Sequence, residues 1–308
     1  MGKIRKHTRR IKDFLNEDVW KVELEELSKA RARFVKYLRV LLITTRTFSA
    51  EKIGFQAVAL SFFSTMSVVP FIAIAFAITG GLGLADKLET FLYTSFPNSQ
   101  QVIDFIINSA RNIISSSQGD GMGAISALLF VWIVIWMMLS VERVFNNVWK
   151  IGKSRKLIKR LSYVIAMLLI APLVILVFFA GTIFYSNALE ILGLNTEQLE
   201  AFKSILAWLI FGVVTALTFS AMYKFIPHAK VLYKNAIKAA IPAAIAFTVM
   251  NYLYLETQVM VTRLNAVYGV FAAVPLFMIW INVGWYIILI GAQLSYAFQR
   301  VQNFKIED

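Results

Sequence analysis

Long apolar runs alternate with short charged segments along this chain. Six runs approach or exceed the roughly 20 residues a helix needs to cross a hydrocarbon core: Phe55–Leu82, Met122–Val141, Ser162–Tyr185, Ser204–Tyr223, Ala239–Leu255 and Phe271–Phe298. None contains Asp, Glu, Lys, Arg or His. They lack the short alternating pattern of barrel strands, so the expected class is an all-α, polytopic membrane helix bundle with six transmembrane helices. Pro70, Pro172, Pro242 and Pro275 are each expected to break or start a helix.

The segments between the runs carry weaker patterns. From Leu24 the apolar positions Leu24, Leu27, Phe34, Leu38, Leu41 and Leu42 recur at helical spacing, with Lys29, Arg31, Arg33, Lys36 and Arg39 on other faces. This predicts a basic amphipathic helix lying in the membrane interface. Residues 83–121 predict two more amphipathic helices: Leu84, Leu88, Phe91 and Leu92 form one stripe, and Ile103, Ile106, Ile107, Ala110, Ile113 and Ile114 another. Pro97-Asn98 with Gln101 resembles the start of the second. The glycines Gly119, Gly121 and Gly123 match no phosphate-binding fingerprint. The chain divides into a basic arm (1–54), a six-span domain (55–298) and a tail (299–308). The charged start predicts no cleavable signal peptide.

Charge sets the orientation. The chain has 31 Lys+Arg, and all but Lys87, Arg111, Lys203 and Arg263 lie in the arm, the 142–161 and 224–238 segments and the tail. Topology follows this Lys/Arg bias, so both termini are expected to be cytoplasmic, and an even number of spans agrees by putting them on one side. The 142–161 loop is the most basic, with Arg143, Lys150, Lys153, Arg155, Lys156, Lys159 and Arg160. A net charge of +13 in a soluble protein would suggest nucleic acid. Here the cations border membrane spans, where anionic lipid head groups are the expected partners and nucleic acid is not.

Composition agrees. Hydrophobic residues make up 58% and charged residues 16%, against about 25% charged in soluble domains. There are no cysteines and two histidines, His7 and His228. Thiol chemistry is excluded, and no metal-ligand cluster, HExxH motif or nucleophile elbow occurs. No cofactor and no catalytic residue is assigned.

Polar groups inside spans are the best pointers to a site. In the sixth run Asn282, Tyr286, Gln293 and Tyr296 share one strip at about 100° per residue, with Trp285 at its edge. The fifth has Asn251, Tyr254 and then Gln258, and the first has Ser61, Ser64, Thr65 and Ser67 before Pro70. Two readings stand: polar ties between helices, or a groove lined for a substrate.

Ala57-Val-Ala-Leu-Ser-Phe-Phe-Ser-Thr-Met-Ser-Val-Val-Pro70 resembles the opening motif of the YihY/BrkB-like membrane protein family. Tyr223-Lys-Phe-Ile-Pro227 resembles its fourth-span exit. Asn265-Ala-Val-Tyr268-Gly269 and the stretch from Trp280 through Gly291-Ala-Gln293 resemble its closing signature. The resemblance covers roughly residues 35–300 and implies a multi-pass protein of the prokaryotic inner membrane. The family's former label, ribonuclease BN, is regarded as a misassignment, and one branch is linked to export of a lipopolysaccharide precursor. Some members carry an acidic residue where this chain has Gln293.

With Asn265 and Tyr268 added, the candidate groove is Asn251, Gln258, Asn265, Tyr268, Asn282, Tyr286 and Gln293. The expected function is a transporter, a flippase-like exporter of a lipid or other amphiphile. The alternative is a non-transport scaffold or assembly factor that meets a protein partner through its basic face.

Overall fold

The structure is a computed structural model that describes residues 19–22, 27–95, 100–117, 121–152, 158, 162, 200–264 and 266–302. Among the described residues a single turn, Val19–Lys21, precedes eight longer helices. These are α1 (Lys29–Ala50), α2 (Ile53–Gly81), α3 (Ala85–Ser95), α4 (Gln100–Ser117), α5 (Gly121–Val148), α6 (Glu200–Phe225), α7 (Tyr233–Leu264) and α8 (Ala266–Arg300). Among the described residues there is no strand. The fold is an all-α membrane helix bundle.

Five of these helices, α2, α5, α6, α7 and α8, are long and apolar enough to cross a membrane. The expected third span, Ser162–Tyr185, lies outside the described residues apart from Ser162. So do residues 1–18 of the arm, the end of the tail, Pro97-Asn98, and Lys153, Arg155, Lys156, Lys159 and Arg160. The bundle is apolar outside as well as inside: Phe55 is 78% exposed, and Leu128 70%. In water such a surface would drive aggregation; in a bilayer it faces lipid tails as apolar as itself.

Several helices overrun the apolar runs. α5 continues through the expected 142–161 loop as far as Val148, and α7 starts at Tyr233 within the expected 224–238 connection. An apolar run marks the length inside hydrocarbon, whereas hydrogen bonding carries the helix past it. The expectation for prolines is corrected too. Pro70, Pro242 and Pro275 lie inside α2, α7 and α8, and none breaks or starts its helix. Each removes one N–H, but opening the backbone in lipid would expose several more polar groups, so the helix continues. Pro172 lies outside the described residues.

α7 lies along both α6 and α8. An aromatic chain joins the three: Trp208 meets Tyr252 at 5.7 Å, Phe219 meets Phe247 at 5.4 Å, and Tyr254 stacks on Trp280 at 5.2 Å between ring centroids. Such pairs contribute about 0.5–1.5 kcal/mol beyond area burial. α2 packs against α8, α5 and α4. α3 and α4 cover the far end of α2, burying Leu88, Leu92, Ile103, Ile107 and Ala110 with Ala73, Ala75 and Phe76. An ion pair from Arg111 to Glu89 and a 2.5 Å hydrogen bond from the Tyr93 hydroxyl to Asp104 link α3 and α4. That hydrogen bond pushes the Tyr93 phenol above its ordinary pKa.

α1 has a different buried face from the stripe expected. Val40, Ile43, Thr44 and Thr47, at i, i+3, i+4 and i+7, are buried, while Phe34 and Leu41 are exposed. The helix packs on α8, with Tyr37 edge-on to Phe298 at 5.9 Å and Phe48 6.3 Å from Tyr286. α1 therefore has two apolar faces, one seated on the bundle and one left open.

Candidate functional site

Of the seven candidate groove residues, Asn251, Asn282, Tyr286 and Gln293 have described side chains. Asn282 and Tyr286 face α2 and its junction with α1. The Asn282 amide donates to Ser61 Oγ at 3.1 Å, and the neighbouring Trp285 indole N–H donates to Ser64 Oγ at 2.8 Å. Ser61 Oγ also donates to the Val58 carbonyl of its own turn at 2.7 Å, so it gives one bond and receives one. Tyr286 lies over Gly54, where a side-chain carbon would come within 3.2 Å of its hydroxyl. Gln293 is fully buried in α8, and among the described residues neither amide atom has a hydrogen-bond partner. Asn251 is half-buried in α7. Asn265 and the side chains of Gln258 and Tyr268 lie outside the described residues.

A cavity of about 590 Å³ opens elsewhere, between α2 and α5 at the basic end of the bundle. Its α2 wall is Gln56, Ala59, Leu60 and Phe63. Its α5 wall is Ser140, Arg143, Val144 and Asn147, with Asn146 beside them and Ile151 and Gly152 beyond the helix end. Both walls repeat at i, i+3, i+4 and i+7, the spacing that puts side chains on one helix face. One side is mainly apolar and the other mainly polar. Among the described residues Arg143 is the one charged residue in this lining. Of the expected basic face, Arg143 reaches the cavity, and Lys150 lies just past the end of α5.

Local chain geometry holds the polar wall in place. Lys150 adopts a left-handed backbone with φ 52°. The Ile151 N–H donates to the Asn146 carbonyl and the Lys150 N–H to that of Asn147, both at 2.9 Å. This is a Schellman termination, which satisfies carbonyls that a helix end otherwise leaves open. The Asn146 side-chain oxygen accepts the His228 backbone N–H at 2.7 Å, tying α5 to the α6–α7 connection. Opposite, the Gln56 amide donates to the Glu51 carbonyl at 3.1 Å. Among the described residues no group of three His, Cys, Asp or Glu could hold a metal ion.

Sequence reasoning passed over Gln56, Ser140, Asn146 and Asn147. A signal was available. Ser140, Arg143 and Asn147 continue one face of the second apolar run, which shows once the helix is extended past Val141.

At the same end, Arg39 is buried on α1. Its Nε donates to the Val19 carbonyl at 2.9 Å and its Nη2 to those of Val22 at 2.6 Å and Trp20 at 3.4 Å. The Arg39 and Arg46 guanidiniums, two turns apart, both lie 5.9 Å from the Trp20 ring centre. Burial pulls Arg39 below its ordinary pKa, yet a guanidinium stays charged.

Five apolar helices with outward hydrophobic faces and an amphipathic cover define a multi-pass helical membrane protein. The chain matches the model of the Virulence factor BrkB family over residues 44–308 and belongs to that family. It is similar to a UPF0761 membrane protein of Acinetobacter baylyi, 27% identical over 281 residues, which make up 88% of this chain and 64% of that one. A UPF0761 membrane protein of Psychrobacter sp. is 28% identical over 79% of this chain and 45% of its own length. One from Haemophilus influenzae is 24% identical over 84% of this chain and 95% of its own. This chain thus covers less than two thirds of the first two relatives. No solved structure matches it.

Proposed function

We propose that this protein is a transporter, a flippase-like exporter of a lipid or other amphiphile, in a prokaryotic inner membrane with both termini in the cytoplasm. The observation that carries this reading is the two-faced cavity between α2 and α5. An amphiphile needs one apolar wall for its tail and one polar wall for its head, and these helices provide both at one opening. Its volume falls within the roughly 300–1,000 Å³ range of small-molecule sites. The Lys/Arg bias supports a cytoplasmic placement of this end.

Reconstituted protein tests the reading. Vesicles carrying head-group-labelled lipids are expected to show faster exchange between leaflets than empty vesicles, and Ala59→Trp, which fills the apolar wall, is expected to slow it. No movement of any lipid across a varied panel would overturn transport.

A second reading, a scaffold or assembly factor, has its own observation. Asn282 and Trp285 are engaged in ties to α2, so these two positions serve helix packing. This reading predicts a stable partner in mild-detergent pull-downs and tolerance of Asn282→Leu combined with Gln293→Leu.

A further inference from the structure

We propose that the cavity between α2 and α5 selects a phospholipid head group that joins a phosphate to a hydrogen-bond donor, a primary ammonium or free hydroxyls. This rests on reading the cavity as an amphiphile site, and it adds which head group fits.

The lining is directional. Arg143 presents a planar fork of N–H donors, the geometry that pairs bidentately with phosphate oxygens. Among the described residues no carboxylate lines the cavity, so a cationic head group lacking a phosphate would find no counter-charge. Asn146 accepts the His228 N–H with its side-chain oxygen, and the two N–H donors of its amide remain for an anion. This side of the cavity therefore offers donors to an anion. Gln56 differs: one of its two amide N–H groups goes to the Glu51 carbonyl, while its side-chain oxygen keeps both lone pairs to accept. A head group that satisfies both sides carries acceptors toward α5 and a donor toward α2. Phosphatidylethanolamine and phosphatidylglycerol have both. Phosphatidylcholine has the phosphate, but its quaternary ammonium has no N–H to give. Ala59, Leu60 and Phe63 continue from Gln56 into the span, where an acyl chain would follow the head group.

A plainer role for Arg143 is neutralising the C-terminal end of α5 and holding topology. That role gives no preference among phospholipids, which makes the two separable.

The test is lipid binding to the full chain in detergent by native mass spectrometry. Its probes are short-chain phosphatidylglycerol, phosphatidylethanolamine and phosphatidylcholine, with inorganic phosphate as a soluble competitor. The expected result is binding of the first two about tenfold tighter than the third, about the size of one well-formed hydrogen bond. Arg143→Gln is expected to weaken all three by about tenfold or more, with partial recovery in Arg143→Lys. Gln56→Leu is expected to abolish the preference among the three lipids. Phosphate competing as well as the lipids would make the site one for a free anion and overturn the head-group assignment. Equal binding of all three lipids, or indifference to Arg143→Gln in protein with unchanged thermal unfolding, would also overturn it. Selective binding without leaflet exchange would remove transport and leave this assignment standing. Exchange without selectivity would do the reverse.

Discussion

Gly291 of α8 stands where the phenol of Tyr223, from α6, crosses the helix. A side-chain carbon at Gly291 would overlap the Tyr223 hydroxyl oxygen and approach the Ala243 methyl on α7 to 2.8 Å. Three helices meet here because one residue has no side chain, the device that lets membrane helices approach closely. Gly291→Ala is expected to destabilise the bundle by about 1–3 kcal/mol through overpacking, seen as a lowered unfolding midpoint in detergent. Among the described residues the Tyr223 hydroxyl has no hydrogen-bond partner. Tyr223→Phe alone should therefore be nearly neutral, and combined with Gly291→Ala it should recover part of the loss. Additive effects would refute the close approach.

The Trp285–Ser64 hydrogen bond joins helices 221 positions apart in the chain. Trp285→Phe and Ser64→Ala are each expected to cost about 1 kcal/mol, with a coupling of about 0.6 kcal/mol in a double-mutant cycle, typical of hydrogen bonds between membrane helices. A coupling near zero would remove the tie.

Lys150 holds a left-handed backbone that costs a residue with a side chain about 1–2 kcal/mol and that glycine adopts freely. Lys150→Gly is expected to raise the unfolding midpoint by stabilising the Schellman end of α5. A lowered midpoint would show that the Lys150 side chain contributes more than its backbone conformation loses.

Arg39 holds residues 19–22 through the carbonyl oxygens of Val19, Trp20 and Val22, and its guanidinium lies against the Trp20 ring. Arg39→Ala is expected to speed hydrogen exchange and proteolysis in that segment while leaving the spans protected. Bonds to a charged donor are worth about 1.5–3 kcal/mol, enough to raise the open population at least tenfold. Arg39→Lys should restore little, because one ammonium cannot reproduce the fork. Unchanged exchange at 19–22 would show that apolar packing of Val19 is sufficient.

Orientation is open to a direct check. Reporter tags at both ends should be inaccessible from outside intact cells and become accessible on permeabilisation. A tag reachable without permeabilisation would reverse the proposed topology.

The sequence by itself determined the class, because a charge-free apolar run is a local property and the bilayer reads it locally. The two amphipathic helices between the first two spans were legible for the same reason, since Leu88, Leu92, Ile103 and Ile107 repeat at helical spacing. Only the tertiary structure decided what the polar residues do. Asn282 is a tie because Ser61, far away in the chain, stands opposite it, and no periodicity within one helix can show that. Ser140, Arg143 and Asn147 form a wall only because α2 brings Gln56 and Phe63 across from them. Which apolar face of α1 is buried was undecided for the same reason: Val40 and Ile43 are no more hydrophobic in kind than Phe34 and Leu41, and the choice falls to the surface α8 offers.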